Sequence, residues 1–236
     1  MQGYMRNIEV DVHDVDFNGV CRVSSLMRYI QSTAQMQLTE NGMSYDKLKE
    51  MGKAFIISKI RLEFSAPVYS YDKLETHTFP CISRGYSFIR CYGLYKNGAM
   101  IGRAISVWAL VDIEKHGLVK VGDFDLNLQT YEAWDMPIGH IRMPSAMKKV
   151  GEYTVAYADL DQNKHINNTK YADIFASYLP LDKRRIDSIT ISYLNEAKFR
   201  DKLDVYLEEA DGFYYIRTVR ADGKVNAEAE IHLCDI

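Results

Sequence analysis

Little net charge, few cysteines and no long apolar run mark this sequence, and each lack removes a class of function. With 29 Lys and Arg against 32 Asp and Glu, the formal charge is -3. That balance argues against a general nucleic-acid binder, whose domain would carry a basic face. Four cysteines, Cys21, Cys81, Cys91 and Cys234, form neither a CxxC pair nor zinc-site spacing, and four are too few to staple 236 residues. They are expected to be reduced packing residues. No run approaches the roughly 18 apolar residues of a membrane span. The start, Met1-Gln2-Gly3-Tyr4-Met5-Arg6, lacks the charged-then-apolar pattern of a secretory signal, so a cytoplasmic address is expected. His13, His77, His116, His140 and His232 make no HExxH or close ligand pair. Asp14-Val15-Asp16-Phe17-Asn18-Gly19 copies the opening of an EF-hand loop, but the twelfth position, which needs a bidentate glutamate, is Ser25. Neither a metal nor a cofactor is expected.

What is present points to β structure in two copies. Seventeen Tyr and nine Phe against five Pro favour strands, and 47% hydrophobic residues suffice for a packed core. The spacing of Asp14-Val15-Asp16-Phe17-Asn18-Gly19-Val20 returns in Asp159-Leu160-Asp161-Gln162-Asn163-Lys164-His165. A helix is expected after each. The first carries an apolar stripe at Leu26, Ile30, Ala34 and Leu38 and stops at Asn41-Gly42; the second, shorter, carries Tyr171, Ile174, Phe175 and Tyr178 on one face before Pro180. Alternating strands follow: 60–64, 73–79, 87–95 and 104–111 in one half, and 189–193, 203–207, 213–217 and 227–233 in the other, with Asn97-Gly98, Asp211-Gly212 and Asp222-Gly223 as turns. The echoes Asp72-Lys73-Leu74 with Asp201-Lys202-Leu203 and Gly85-Tyr86 with Gly212-Phe213 fix the alignment. A strand, a helix and about four strands, given twice, make an α+β pattern that resembles two tandem hotdog domains, each a curved antiparallel sheet wrapped around a central helix. The less regular stretch from about Gly122 to Lys149 would join them, with domains at 1–135 and 149–236 and the linker at 136–148.

If the segment 161–165 is extended, Asp161, Asn163 and His165 point one way. A helix starting near Asn167 or Asn168 would then offer unpaired N–H groups and the positive end of its dipole to an anionic oxygen. A thioester needs a stabilised oxyanion and an activated water, so this constellation meets its main requirements.

The run from Asp159 to Tyr171, Asp159-Leu160-Asp161-Gln162-Asn163-Lys164-His165-Ile166-Asn167-Asn168-Thr169-Lys170-Tyr171, resembles the signature of the plant and bacterial acyl-ACP thioesterases, a tandem hotdog family. Tyr193-Leu194-Asn195-Glu196-Ala197 is similar to the family segment whose catalytic glutamate sits on a strand facing the helix. The resemblance implies a catalytic set of Asp161, Asn163, His165 and Glu196, no cofactor, and acyl carrier protein as partner, while the oxyanion position at Asn167 and Asn168 rests on the expected helix start. Plant members often carry a cysteine after the glutamate. Ala197 stands there, which excludes a cysteine acyl-enzyme at that position; Glu196 is expected to activate or hold a water, with His165 and Asn163 contacting water or thioester and Asp161 either orienting them or attacking directly. In the first half Val20 aligns with His165 and Pro67 with Glu196, so that copy is expected to have lost the chemistry and to house much of the acyl chain, with the regions of Phe55-Ile56-Ile57 and Trp108 as candidate lining. Lys148, Lys149, Lys183, Arg184, Arg185, Lys198 and Arg200 are candidate docking cations for the acidic carrier. An acyl-CoA thioesterase and a non-catalytic acyl-binding protein are the rival readings. A monomeric pseudo-dimer and a homodimer both stay open.

Overall fold

The computed structural model of the chain describes residues 3–236. In the first half come β1 (Tyr4–Glu9), α1 (Val23–Glu40), α2 (Tyr45–Glu50), β2 (Lys53–Phe64), β3 (Lys73–Pro80), β4 (Phe88–Lys96), β5 (Ala99–Asp112) and β6 (Gly117–Val119). The second half holds β7 (Lys148–Thr154), α3 (Lys170–Ala176), β8 (Arg184–Tyr193), β9 (Lys202–Ala210), β10 (Phe213–Arg220) and β11 (Val225–Asp235). All paired strands are antiparallel, in the order β1-β3-β4-β5-β2-β8-β11-β10-β9-β7, with β6 attached to β5. Read from the centre outward, the two sides of the sheet have the same order of equivalent strands. The seam is β2 against β8, where Arg61 faces Thr190. The same offset that carries Pro67 to Glu196 carries Arg61 to Thr190, so a pseudo-twofold axis passes between these two residues.

The expected elements form for the expected reasons. Leu26, Met27, Ile30 and Ala34 bury one side of α1, and Tyr171, Ile174 and Phe175 bury one side of α3, both in a single apolar core that runs through both halves. Each such side chain contributes roughly 1.5–3 kcal/mol by leaving water. Asn97 and Gly98 both take positive φ, as do Asp211 and Gly212, so these dipeptides make the tight hairpins that join β4 to β5 and β9 to β10. The edge strand β1 alternates between half-buried and exposed residues, as β7 does from Val150 onward, and the two carry Arg6, Glu9, Lys148, Lys149 and Glu152, charges that discourage pairing with another sheet. Helix α2 has no apolar stripe that periodicity could detect; Ser44 caps it by accepting from Lys47 N at 3.1 Å.

Residues 124–147 carry no helix or named strand, yet they are pinned to the sheet. Tyr131 N donates to Pro80 O at 3.1 Å and Ile82 N to Tyr131 O at 2.9 Å, while Trp134 packs edge-on against Phe79 at 5.5 Å. Buried Cys81 and Cys91 belong to this small apolar cluster, and all four cysteines are free thiols. Among the described residues, no helix is long and apolar enough to cross a membrane.

Asn18 ties the halves together. Its Nδ2 donates to Leu181 O at 2.6 Å and Arg184 O at 3.2 Å, and its Oδ1 accepts from Lys183 N at 3.3 Å. Asn18→Ala is expected to cost about 1–3 kcal/mol in lost hydrogen bonds. Thermal melts should show a fall of several degrees in Tm, with kcat unchanged because Asn18 lies outside the expected catalytic set of Asp161, Asn163, His165 and Glu196.

Candidate active site

Loops of one construction precede α1 and α3. Asp16 Oδ1 accepts from Asn18 N (2.9 Å) and Val20 N (3.1 Å); Asp161 Oδ1 accepts from Asn163 N (2.8 Å) and His165 N (3.3 Å). Asp16 N donates to Val20 O (2.8 Å), and Asp161 N to His165 O (2.9 Å). Gly19 and Lys164 occupy the same left-handed position, at φ 76° and 65°. Glycine adopts this conformation freely, whereas at Lys164 the enclosing hydrogen bonds have to hold it.

That construction corrects two expectations. The segment 161–165 is a closed turn and not an extended strand, because the Asp161 carboxylate and backbone fold it onto itself. Its side chains therefore divide. Asp161 and Asn163 border the cavity, with Asn163 Nδ2 at 3.5 Å from Asp161 Oδ2, whereas His165 is paired with Glu196, and neither member of that pair borders the cavity. Helix α3 also starts at Lys170, with Thr169 as its cap, and not at Asn167 or Asn168. The reason is Asn167, whose Oδ1 accepts from Thr169 N (3.0 Å) and Oγ1 (2.9 Å) and so turns the chain before the helix begins. Asn167 N is itself occupied, donating to Asp159 O at 2.8 Å. The Asn168 N–H donates to no group among the described residues, which leaves it the free donor of the two.

His165 Nε2 lies 3.0 Å from Glu196 Oε2, with the two side chains 28% and 57% exposed. The backbone brings them together: Ile166 N donates to Ala197 O (3.0 Å), and Cys21 N donates to Val68 O (2.7 Å) at the equivalent place in the first half. Val20 and Pro67 thus stand where His165 and Glu196 stand in the second half. Arg220 Nη1 donates to Glu196 O at 2.9 Å. Two phenols lie nearby, buried Tyr171 and half-buried Tyr193, packed edge-on at 5.4 Å. Burial pushes the Tyr171 hydroxyl up to about 12, against the hydrogen bond from Asn226 and with the Glu196 charge. Burial also holds Tyr193 well above the usual range, with Tyr171 adding to it, and Tyr193 OH donates to Asn168 O at 2.9 Å.

The cavity, about 810 Å³, is walled almost entirely by the first half and closed by the second-half loop through Asp161, Gln162, Asn163, Asn167 and Asn168. Phe55 and Trp108 line it as expected; Ile57 is buried in the core and Ile56 is exposed, and neither lines it. Two first-half residues that local pattern does not single out touch the loop. Tyr45 OH donates to Asn163 Oδ1 (2.8 Å), and Gln31 Nε2 donates to Asn168 Oδ1 (2.8 Å). Each spans more than a hundred residues of sequence, so only the tertiary fold reveals it.

A family model for the acyl-ACP thioesterase N-terminal domain matches residues 1–126, and one for the acyl-ACP thioesterase C-terminal domain matches residues 143–233. This chain belongs to the acyl-ACP thioesterase family. Similar curated proteins include the chloroplastic oleoyl-acyl carrier protein thioesterase 2 of Arabidopsis thaliana, 24% identical over 85% of this chain and 61% of that protein. The chloroplastic palmitoyl-acyl carrier protein thioesterase of Cuphea hookeriana is 22% identical over 82% of this chain and 51% of its own length. The chain thus spans only part of these relatives. The crystal structure of an acyl-ACP thioesterase from Bacteroides thetaiotaomicron shares the fold at a TM-score of 0.85, with 21% identity over 98% of this chain and 97% of that one. The 12:0-ACP thioesterase from Umbellularia californica gives the same TM-score of 0.85 at 15% identity, over 100% and 99% of the two chains. These likenesses establish the tandem hotdog fold.

In this acyl-ACP thioesterase family member the candidate docking cations do not form one set. Arg184 and Arg185 are half-buried at the start of β8, where Arg184 Nη1 donates to Tyr214 OH (3.3 Å) and Arg185 Nη1 to Phe64 O (3.4 Å). Their role as free docking charges is withdrawn for that reason. Lys183 is bonded through its backbone to Asn18 in the first-half loop, and Lys149 pairs with Asp204 at 2.6 Å on the edge strand, beside exposed Lys148. Lys198 is bridged to His165 through the backbone, and the Arg200 guanidinium stacks on exposed Phe199 at 5.0 Å. Lys198 is therefore the member of the set tied to the loop that holds His165, with Arg200 two residues further along the chain.

Proposed function

We propose that the chain hydrolyses the thioester of fatty acyl-acyl-carrier protein, releasing free fatty acid and carrier protein and ending chain elongation. The observation that carries this reading is the His165–Glu196 contact at 3.0 Å, present in one of two otherwise matched loops, the one whose Asp161 and Asn163 border a large cavity. The carboxylate and imidazole together act as the base. Water gives its proton to the pair as its oxygen adds to the thioester carbon; collapse of the tetrahedral intermediate breaks the C–S bond, and the carrier thiol leaves with a proton. Asp161 holds the loop closed and so fixes where His165 and Asn163 stand. The Asn163 side chain and the Asn168 N–H face the region where the carbonyl oxygen would develop charge, and the cavity accepts the acyl chain. Ala197, fully buried, offers no nucleophile beside Glu196.

Lys198 and Arg200 support docking of an acidic carrier, because charges at the rim of a site act mainly on the encounter rate. Matched acyl chains on carrier protein and on CoA test the substrate class. The expected result is a kcat/KM at least about tenfold higher on the carrier. Lys198→Glu with Arg200→Glu should lower that kcat/KM several-fold at low salt and much less at high salt. Equal rates on both substrates, insensitive to salt and charge reversal, would make the protein an acyl-CoA thioesterase instead.

A further inference from the structure

The residue before Glu196 is clamped by a buried polar cluster for which the first half has only apolar side chains. Asn226 lies at its centre. Its Oδ1 accepts from Thr218 Oγ1 (2.9 Å), its Nδ2 donates to Tyr171 OH (2.9 Å) and to Asn195 O, and its carbonyl accepts from Leu194 N (2.9 Å) and Asn195 N (3.0 Å). Asn195 Nδ2 adds a bond to Val225 O at 2.7 Å. Asn226 and Thr218 are completely buried, and Tyr171 is 4% exposed.

The pseudo-twofold axis supplies an internal comparison. Ser65 N donates to Ile101 O as Leu194 N donates to Asn226 O, so Ile101 is the counterpart of Asn226. Leu94, which faces Gly102 on the neighbouring strand, matches Thr218, which faces Ala227. The offset from Asp16 to Asp161 carries Leu26 to Tyr171, and the offset from Pro67 to Glu196 carries Ala66 to Asn195. Leu26, Leu94 and Ile101 are all buried. The same fold therefore packs there with leucine and isoleucine alone. Burying three polar groups in place of these apolar ones gives up transfer free energy and is tolerated only when every group finds a partner. That concession occurs in the half that carries His165 and Glu196.

The polar groups also end at the place where placement matters. The Glu196 side chain is 57% exposed, so packing does not fix it, and its position depends on its own backbone. Three consecutive carbonyls are held: Asn195 O by Asn226, Glu196 O by Arg220, and Ala197 O by Ile166, the neighbour of His165.

We propose that Asn226, supported by Thr218 and Tyr171, is a positioning residue that fixes the Glu196 backbone so that its carboxylate meets His165. This rests on the reading of Glu196 as part of the base. The variant that tests it is Asn226→Ile, which writes the first half's own residue into the second, measured alone and with Glu196→Gln. A displaced reacting group can lower turnover by about a hundredfold. The expected result for Asn226→Ile is a kcat on acyl-ACP reduced about 10- to 100-fold with KM within about twofold. In the Glu196→Gln background the same change should add less than about twofold, because the group it positions is already disabled. If Asn226→Ile folds poorly, the triple variant Tyr171→Leu, Thr218→Leu and Asn226→Ile, which copies the packing of the first half, is measured in its place. Unchanged kcat in a folded variant overturns the proposal, and so does an equal further loss in the Glu196→Gln background. Normal turnover by Glu196→Gln alone would remove the catalytic reading and this inference with it; a slow Glu196→Gln beside a normal Asn226→Ile would remove only the positioning role.

Discussion

Glu196→Gln is expected to lower kcat for acid release from acyl-ACP by about 10²- to 10⁴-fold, the contribution typical of a positioned acid–base group. Gln has nearly the shape of Glu and can still accept a hydrogen bond from His165, so the loop and the contact at 3.0 Å have no reason to move. What it loses is the negative charge and the capacity to take a proton. Because the side chain is more than half exposed, the neutral amide is not left buried without a partner, and Tm should stay within a degree or two. KM should change little, since the cavity proposed to accept the acyl chain is one that Glu196 does not border. Parallel measurement of kcat, KM and Tm checks all three statements.

The second large effect separates the structural work of an aspartate from the chemistry of its loop. Asp16 and Asp161 each accept two backbone N–H groups across the same closed turn, so replacing either with Ala leaves those donors without their acceptor. Both variants should lose stability alike, by about 1–3 kcal/mol. Their activities should diverge. Asp161→Ala frees the loop that carries Asn163 and His165, and kcat should fall at least about a hundredfold. Asp16→Ala loosens a loop that holds Val20 and should leave kcat within about threefold after allowance for the unfolded fraction. Thermal melts with acyl-ACP turnover measure both quantities, and equal losses of activity would contradict a single active site.

Much of this arrangement is legible in the sequence because repetition makes it so. Apolar spacing locates α1 and α3, the Asn97-Gly98 and Asp211-Gly212 pairs mark hairpins, and the two Asp-x-Asp-x-Asn runs align the halves. What stays hidden depends on contacts distant in sequence. Alternation alone cannot show that Asp161 closes a turn on His165, so the spacing suggests a common direction that the fold does not give. The start of α3 is displaced by a side-chain bond from Asn167 that competes with helix formation. Arg184 and Arg185 read as surface charge until β8 turns them toward Tyr214 and Phe64. Tyr45, Gln31 and Asn226 carry no local signal, since each acts on a segment brought to it by the fold.

The most direct measurement of the central claim is release of free fatty acid from a panel of acyl-ACPs of different chain length by the purified protein, with His165→Ala beside it. Multiple turnovers on at least one chain length, lost in His165→Ala while its melting profile is kept, is the predicted result. No free acid from any acyl-ACP, or undiminished release by His165→Ala, would contradict it.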